Sequence, residues 1–222
     1  MVINREGVMI MYLSRVEIDR NNRQKIKDLT HLGAYHNWVE QSFPDELKQE
    51  IRTRKLWRVD RLDGKDYLLI VSSSTPDLKG LERYGVEGSA ASKNYDRFLD
   101  SLRNGQVMRF RVVLNPVVAK LETPSSKRGR LLPLLSEADQ LNFFMKRTHS
   151  NGFSVEANDV MLVETGFEVL KKSHQRAVRL KKASYEGKLT ISDVEVFRNT
   201  LIKGMGRKKA YGFGMMTVIP GV

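Results

Sequence analysis

The sequence contains no cysteine in its 222 residues. Disulfide bonds, iron–sulfur clusters and thiolate zinc sites are therefore excluded, which fits a reducing compartment. The chain has four histidines, and none is paired with an acid at the spacing of a metal motif such as H-E-x-x-H. The acidic residues are also scattered singly. We therefore expect no metal and no small-molecule cofactor.

Long apolar runs are absent as well. No stretch approaches the roughly eighteen apolar residues that a membrane-spanning helix needs. The first residues, 1–8, carry charge where a signal peptide is apolar, so we expect no export. The basic segments also lack the long apolar helical face of an interfacial anchor. We expect a cytoplasmic protein with no membrane partner.

Acidic residues are few relative to basic ones. The chain has 38 Lys and Arg against 26 Asp and Glu, a formal net charge of +12. Such an excess favours a polyanionic partner, and nucleic acid is the first candidate. A double-stranded DNA-binding protein is disfavoured, because no predicted helix carries a clustered basic recognition face.

Apolar spacing predicts the elements of the first half. A helix ended by Pro44 is expected at Lys25–Phe43, and Gly85–Asn94 is the best candidate for a mobile loop. The other predicted elements are a strand at Met9–Ile18, a helix at Asp45–Arg54, a hairpin of Leu56–Leu62 and Tyr67–Ser73, and a helix at Asp77–Tyr84.

The second half repeats this order of elements without a sequence repeat. The predicted elements are strands at Gln106–Val118, Met161–Leu170, Val178–Tyr185, Lys188–Ile191 and Gly214–Ile219, helices at Ser136–Thr148 and Asp193–Ile202, and a turn at Glu186-Gly187. We predict an α+β fold of two tandem ferredoxin-like (RRM-like, β-α-β-β-α-β) domains. The first would span residues 9–104 and the second 105–222, after an N-terminal extension of residues 1–8.

A basic segment without acids runs from Val169 to Tyr185. Its cations are Lys171, Lys172, Arg176, Arg179, Lys181 and Lys182. On a hairpin these side chains would contact RNA phosphates. The alternative is an edge hairpin whose lysines merely discourage pairing with another sheet.

A glycine-rich loop, residues 204–214, alternates glycines with cations. The residues expected to bind phosphate are Gly204, Gly206, Gly212, Arg207, Lys208 and Lys209. Glycine lets backbone N–H groups approach an anion closely, and the cations add charge. The alternatives are a plain turn before the last strand and an RRM-like base-stacking surface on the Tyr-Gly-Phe-Gly run.

Several motifs in order resemble one known family. They are Met11-Tyr12-Leu13-Ser14-Arg15-Val16, His36 with Phe43-Pro44, Thr75-Pro76-Asp77, Arg109-Phe110-Arg111 with Asn115-Pro116, the helix start after Leu134, Tyr185-Glu186-Gly187-Lys188-Leu189, and the glycine-rich loop. From Met11 onward the chain resembles the CasE family, the CRISPR repeat-processing endoribonuclease of type I-E Cascade. The resemblance implies recognition of a repeat hairpin in precursor crRNA and cleavage at the 3′ base of its stem. It also implies that the product stays bound with other Cascade subunits.

The resemblance also implies site residues. Family members use a histidine on the first helix, seven residues before Phe-Pro, and His36 matches it. Many have a tyrosine three residues before that histidine, where this chain has Gly33; Tyr35 is the candidate for that role. Lys171 and Lys172 lie nearest the start of the RNA-binding hairpin.

Residue spacing alone leaves alternatives for the histidines and tryptophans. His36 lies beside the predicted buried stripe and can equally be a core-edge histidine bonded to backbone. His31 is the second candidate, on another face of the same predicted helix. We expect Trp38 and Trp57 to be packing residues.

A histidine near neutral pKa suits metal-independent RNA cleavage, in which the 2′-OH attacks the adjacent phosphorus. The products would carry a 2′,3′-cyclic phosphate and a 5′-OH. The main rival is a non-catalytic RNA-binding subunit of a ribonucleoprotein complex, which the loss of tyrosine at position 33 supports.

Overall fold

The first of two main sheets has four antiparallel strands. The computed structural model describes residues 10–121, 129–171 and 175–221. The strands are β1 (Tyr12–Glu17), β2 (Leu56–Leu62), β3 (Lys65–Ser72) and β4 (Ala91–Asn94), in the order β2-β3-β1-β4. The helices of this half are α1 (Arg23–Ile26), α2 (Leu32–Gln41), α3 (Pro44–Lys48), α4 (Leu78–Glu82) and α5 (Asp96–Ser101).

Several sequence predictions in this half are wrong, including the helix predicted at Asp45–Arg54, where the structure has only the short helix α3 at Pro44–Lys48. The single helix predicted at Lys25–Phe43 is broken into α1 and α2, because the Nδ1 atom of His31 caps α2 by accepting the N–H of Ala34 at 3.2 Å. Pro44 occupies the first turn of α3, where its missing N–H costs nothing. The loop predicted as mobile, Gly85–Asn94, contains β4, which pairs with β1.

The second sheet repeats the topology of the first. Its strands are β5 (Val107–Leu114), β8 (Phe153–Ser154), β9 (Val160–Leu170), β10 (Val178–Ile191) and β11 (Met216–Pro220), in the order β11-β5-β10-β8, and β9 also pairs with β10. The accompanying elements are α6 (Glu137–Met145), α7 (Val194–Lys203) and a separate hairpin of β6 (Val117–Lys120) and β7 (Arg130–Pro133). The central strands are β1 and β3 in the first sheet and β5 and β10 in the second, which confirms the predicted α+β fold of tandem ferredoxin-like units.

The turn predicted at Glu186-Gly187 is wrong. Strand β10 continues without a break from Val178 to Ile191. Gly187 lies within the strand because the carbonyl of Asp159 approaches so closely that a Cβ atom would collide with it. The glycine therefore permits a close backbone approach rather than a reversal of the chain.

Two apolar clusters form the core, and both include residues from the two halves. In the larger cluster Leu56 and Val71 of the first sheet join Phe144 and Tyr185 of the second half. The other cluster joins Trp38 of α2 to second-half residues such as Phe213. The predicted domain boundary near residue 104 lies between α5 and β5, and it stays a prediction.

No helix in the described parts of the chain combines the length and apolar character needed to cross a membrane.

Candidate active site

Helix α2 is fixed by its buried face. Leu32, Trp38 and Val39 are buried, and the indole N–H of Trp38 donates to the carbonyls of Gly80 and Leu81 at 3.2 and 3.1 Å. The prediction that Trp38 packs in the core is confirmed. Because α2 cannot rotate, His36 is held at the edge of the buried stripe, with 31% of its side chain exposed.

The His36 ring is surrounded by residues that are distant in sequence. It meets the ring of Tyr211 edge-on at a centroid distance of 5.1 Å. Its Nδ1 atom lies 4.0 Å from Oε1 of Glu40, one turn further along α2. The backbone of Ala210, in the glycine-rich loop, accepts a hydrogen bond from the ring. His36 is thus a contact point between the two halves.

The surroundings of His36 lower the pKa of its imidazole below the usual value. Burial is the largest cause, and it is opposed by the negative charge of Glu40. The positive charges of Lys55 and Arg52 lower the pKa further, while the hydrogen bond to Ala210 raises it. A lowered pKa keeps the ring neutral near neutral pH and able to accept a proton.

His36 opens into a cleft of about 730 Å³. The cleft is also lined by His31, Arg52, Lys171 and Tyr211. The pKa of His31 is lowered by burial and by the positive charge of Lys171. His31 caps α2, so the prediction that it points away on another face of the same helix is wrong. A half-buried histidine and several cations in one cleft suit a phosphate ester.

Gly33 lies where the end of β9 crosses α2. A Cβ atom there would collide with the backbone carbonyl of Lys171 and lie 3.0 Å from Nδ1 of His31. Backbone therefore occupies the space that a side chain at position 33 would need. This close approach explains why the chain has glycine at this position.

Tyr35 faces a different cavity, of about 380 Å³, which does not include His36. Its ring stacks on Trp57 at 5.8 Å, and its hydroxyl accepts from Arg20 at 3.3 Å. Trp57 is 2% exposed, so its predicted packing role is confirmed. The catalytic role of Tyr35 stays a prediction. Tyr211 lines both cavities and is the tyrosine in contact with His36.

The glycine-rich loop lies against the first half through close contacts. At Gly212, with φ of +80°, a Cβ atom would come within 2.8 Å of the Trp57 ring, whose N–H donates to the Ala210 carbonyl at 3.0 Å. Gly204 has φ of +68° and packs equally closely against Leu56. Both glycines therefore place the loop beside His36, whatever their role toward phosphate.

The predicted phosphate-binding residues of this loop differ in their availability. Arg207, Lys208 and Gly206 are exposed. The ammonium group of Lys209 instead donates to the carbonyls of Lys203 and Gly204 at 3.0 and 2.7 Å, which satisfies groups at the end of α7.

The hairpin of β9 and β10 divides its cations between two faces. Arg179 and Lys181 lie over the ring of Phe167, at 4.8 and 5.1 Å, and Lys181 is only 6% exposed. Lys182 belongs to the other face and lines the Tyr35 cavity. Arg176 and Lys171 are exposed, and Lys172 lies outside the described residues.

Two acids from the neighbouring strand balance one of these cations, Lys182. Glu164 and Glu168 on β9 face Lys182, with ion-pair distances of 2.8 and 3.3 Å. Burial alone would raise the pKa of Glu164, but the hydrogen bonds from Lys182 and Ser184 and the positive charges of Lys182 and Arg111 together outweigh burial and lower the pKa. The pairing of β9 with β10 places these acids beside Lys182, and the sequence of the basic segment alone does not show that pairing.

Sequence reasoning missed four residues around His36. They are Glu40, Arg52, Lys55 and Tyr211. The spacing of Glu40, four residues after His36, places both on one side of a helix and is a signal that the sequence offers. Arg52, Lys55 and Tyr211 reach the site through tertiary folding. Among residues 10–121, 129–171 and 175–221, no three His, Asp or Glu side chains group as metal ligands.

Comparisons with known proteins agree with this fold. The sequence model of the family described as "CRISPR associated protein" matches residues 11–220. The chain is 26% identical to the CRISPR-associated endoribonuclease Cse3 of Thermus thermophilus, over 95% of this chain and 100% of that relative.

Two solved structures extend the comparison. Thermus thermophilus Cse3 bound to an RNA representing a pre-cleavage complex matches with a TM-score of 0.77 and 25% identity, covering 95% of this chain and 100% of that one. A chain of a CRISPR RNA-guided surveillance complex in a pre-nicking state shares the fold, with a TM-score of 0.66 and 21% identity over 95% of this chain and 100% of that one. The chain therefore belongs to the family of CRISPR-associated proteins, and its resemblance to the CasE family is confirmed.

Proposed function

We propose that this protein is a metal-independent endoribonuclease that binds the repeat hairpin of CRISPR precursor RNA and cuts at the 3′ base of its stem. The observation that carries the proposal is His36, a half-buried imidazole of lowered pKa in a cleft that also contains Lys171 and Arg52. Homology to Cse3, a CRISPR endoribonuclease with RNA-bound structures, supports the substrate class.

The proposed reaction needs only groups of the RNA and of this chain. The 2′-OH attacks the adjacent phosphorus in line, and neutral His36 accepts its proton. The bond between phosphorus and the 5′-oxygen breaks, and that oxygen takes up a proton. The products are a 2′,3′-cyclic phosphate and a 5′-OH. Lys171 and Arg52 stabilise the negative charge that develops on the phosphoryl oxygens.

For the second proton-transfer group the sequence predicts Tyr35. The cleft geometry favours Tyr211 instead, because its ring contacts His36 and lines the same cleft. The mature crRNA is proposed to stay bound through the basic hairpin and the glycine-rich loop. Assembly with other Cascade subunits is supported by the fold shared with a chain of a surveillance complex.

A non-catalytic RNA-binding subunit is the second candidate. One observation favours it: the position of the family tyrosine is Gly33, and backbone of Lys171 fills the adjacent space. The two functions differ in whether hairpin RNA is cut by the purified protein.

Replacing His36 by Ala tests the proposal. We expect the single-turnover cleavage rate to fall by about a hundredfold or more, the usual value of a positioned acid or base, while hairpin affinity is nearly unchanged. His149→Ala is the matched control, because His149 is exposed and absent from the His36 cleft. Equal rates for His36→Ala and wild type would contradict the assignment.

The chemistry is tested with the substrate and the buffer. A 2′-deoxy sugar immediately 5′ of the cut should block the wild-type enzyme, because it removes the nucleophile. Cleavage should persist in excess EDTA. Loss of activity that one divalent ion alone restores, or cleavage of the deoxy substrate, would overturn the mechanism.

A further inference from the structure

A largely buried charged cluster lies beside His36, and one of its members, Glu40, also lines the cleft. At its centre is Lys55, whose side chain is only 1% exposed. Its ammonium group lies 2.7 Å from Oε2 of Glu46 and 3.5 Å from Oε2 of Glu40. It also lies 4.7 Å from the centre of the Phe43 ring. The reaction proposed above uses none of these three charged groups directly.

Glu46 is fully occupied by hydrogen bonds. Its carboxylate accepts from Lys55, from the hydroxyl groups of Thr53 and Ser74, and from the Thr53 N–H at 3.1 Å. Burial alone would raise its pKa, but these bonds outweigh burial and lower the pKa of Glu46 to about 2. Glu46 therefore stays ionised and holds Lys55 in one place.

Glu40 connects this fixed pair to His36. One of its oxygens, Oε2, faces Lys55 at 3.5 Å, and the other, Oε1, faces Nδ1 of His36 at 4.0 Å. A glutamate on a helix surface ordinarily samples several rotamers. Here the Lys55 cation restricts the carboxylate to the side facing the imidazole.

We propose that Glu40, anchored by the buried Lys55–Glu46 pair, is a positioning residue that orients the His36 imidazole and stabilises its protonated form during cleavage. The proposal rests on the proposed catalytic role of His36. A distance of 4.0 Å is too long for a hydrogen bond in the resting state, but catalytic contacts commonly shorten when substrate binds. When His36 takes the proton from the 2′-OH, the new positive charge lies beside a carboxylate that is already in place.

Stability alone is a weak explanation for such a cluster. Burying a lysine and its partners costs several kcal/mol of desolvation, and apolar residues of similar size often stabilise as well or better. Glu46 already pairs with Lys55, so the ion pair does not need Glu40. The second carboxylate is explained by its contact with His36.

Titratable groups from several elements surround His36. The charges of Glu40, Lys55 and Arg52 affect its pKa. His31 from the first half and Lys171 and Tyr211 from the second line the same cleft. The exposed Lys27 and Asp28 also line the cleft. Glu40 is the group whose negative charge directly favours the imidazolium ion.

The test compares two full-length variants by NMR titration of the His36 ring and by the pH profile of single-turnover cleavage of a repeat hairpin RNA. In Glu40→Gln the imidazolium loses its neighbouring carboxylate, so the pKa of His36 falls. The limb of the pH–rate profile that reports the titration of His36 then moves to lower pH. In Lys55→Met a repelling cation is lost, so both move to higher pH, and Glu40 is no longer held in place beside the ring. We expect the maximal rate to fall about tenfold in each, because the ring is less well oriented.

Controls separate positioning from folding and from the proposed function itself. Lys55→Met leaves Glu46 unpaired, so the double variant Lys55→Met/Glu46→Gln, which removes both charges, is measured beside it. Glu87→Gln, at an exposed site, should change neither readout. An unchanged His36 titration and profile in Glu40→Gln overturns the proposal. Failure of His36→Ala to slow cleavage overturns the proposed function instead, because the titration does not depend on activity.

Discussion

Gly33 shows how one missing side chain sets the geometry of the cleft. A Cβ atom at this position would collide with the backbone carbonyl of Lys171, so glycine lets the end of β9 lie directly on α2. This contact brings the Lys171 side chain into the cleft of His36. A tyrosine at position 33 would have to displace that backbone.

We expect Gly33→Ala to lower the free energy of unfolding by about 1–3 kcal/mol, the usual cost of overpacking. Cleavage should slow as well, because Lys171 is moved away from His36. Urea unfolding and single-turnover cleavage measure the two effects. Gly166→Ala, on β9, is the matched control, since a Cβ atom there meets nothing within 4 Å. Equal effects at both glycines would show that the contact with Lys171 is unimportant.

The cations of the β9–β10 hairpin are predicted to bind the RNA, and one of them, Lys171, also lines the His36 cleft. Replacing Lys171, Lys172, Arg176 and Arg179 together by Ala should weaken hairpin RNA binding well over tenfold. The log–log salt slope should flatten by roughly three to four units, because each lost phosphate contact releases about one counterion fewer. Filter binding at several salt concentrations measures both quantities.

A charge-matched variant supplies the control for this element. Lys79, Lys93, Arg97 and Lys146 are exposed outside this hairpin, so their joint replacement by Ala removes the same charge and leaves the hairpin unchanged. This variant should keep most of the affinity. If both variants lose affinity and slope equally, binding depends on net charge and not on the hairpin.

Most elements were predictable from local patterns, and the failures have physical reasons. Alternation and the Asp63-Gly64 turn predict β2 and β3, because both signals are local. The short strand β4, Ala91–Asn94, was not predictable, because its polar sequence lacks alternation and forms a strand only by pairing with β1. His31 was taken for a helix residue because its capping bond to Ala34 leaves the apolar spacing unbroken.

The candidate site was predictable only in part, because some of its contacts form only when distant parts of the chain pack together. His36 follows from its spacing before Phe43-Pro44 and from the family resemblance. The contact of Tyr211 with His36 joins residues far apart in sequence, and so does the hydrogen bond from Trp57 to Ala210. Such contacts depend on how the two sheets pack together, which no local pattern determines.

The whole molecule works as one unit, because the His36 cleft takes residues from both halves. Arg58 on β2 links the two sheets. Its guanidinium is 2% exposed and donates to the carbonyls of Arg111 and Met215, both at 2.8 Å, and to the hydroxyl of Thr217 at 2.7 Å. Asp60, on the same strand, accepts its Nε–H at 2.7 Å and balances its charge. Arg58 thus joins the first sheet to both β5 and the segment of β11.

Replacing Arg58 by Met should therefore lower stability and cleavage together. The change leaves the carbonyls of Arg111 and Met215 without this donor, and Asp60 keeps its ion pair with Arg111, at 3.2 Å. Loss of one partner of a buried ion pair costs about 3–5 kcal/mol, and we expect the lower end of this range because Asp60 stays paired. Because α2 and the glycine-rich loop come from different halves, a looser junction should also separate His36 from Tyr211 and slow cleavage under conditions where the variant is still folded. Urea unfolding and single-turnover cleavage of the same preparation measure both, with Arg61→Met as the control, since Arg61 is exposed on the same strand. A variant that is destabilised but cleaves at the wild-type rate would mean that the Arg58 contacts hold the fold without aligning the cleft.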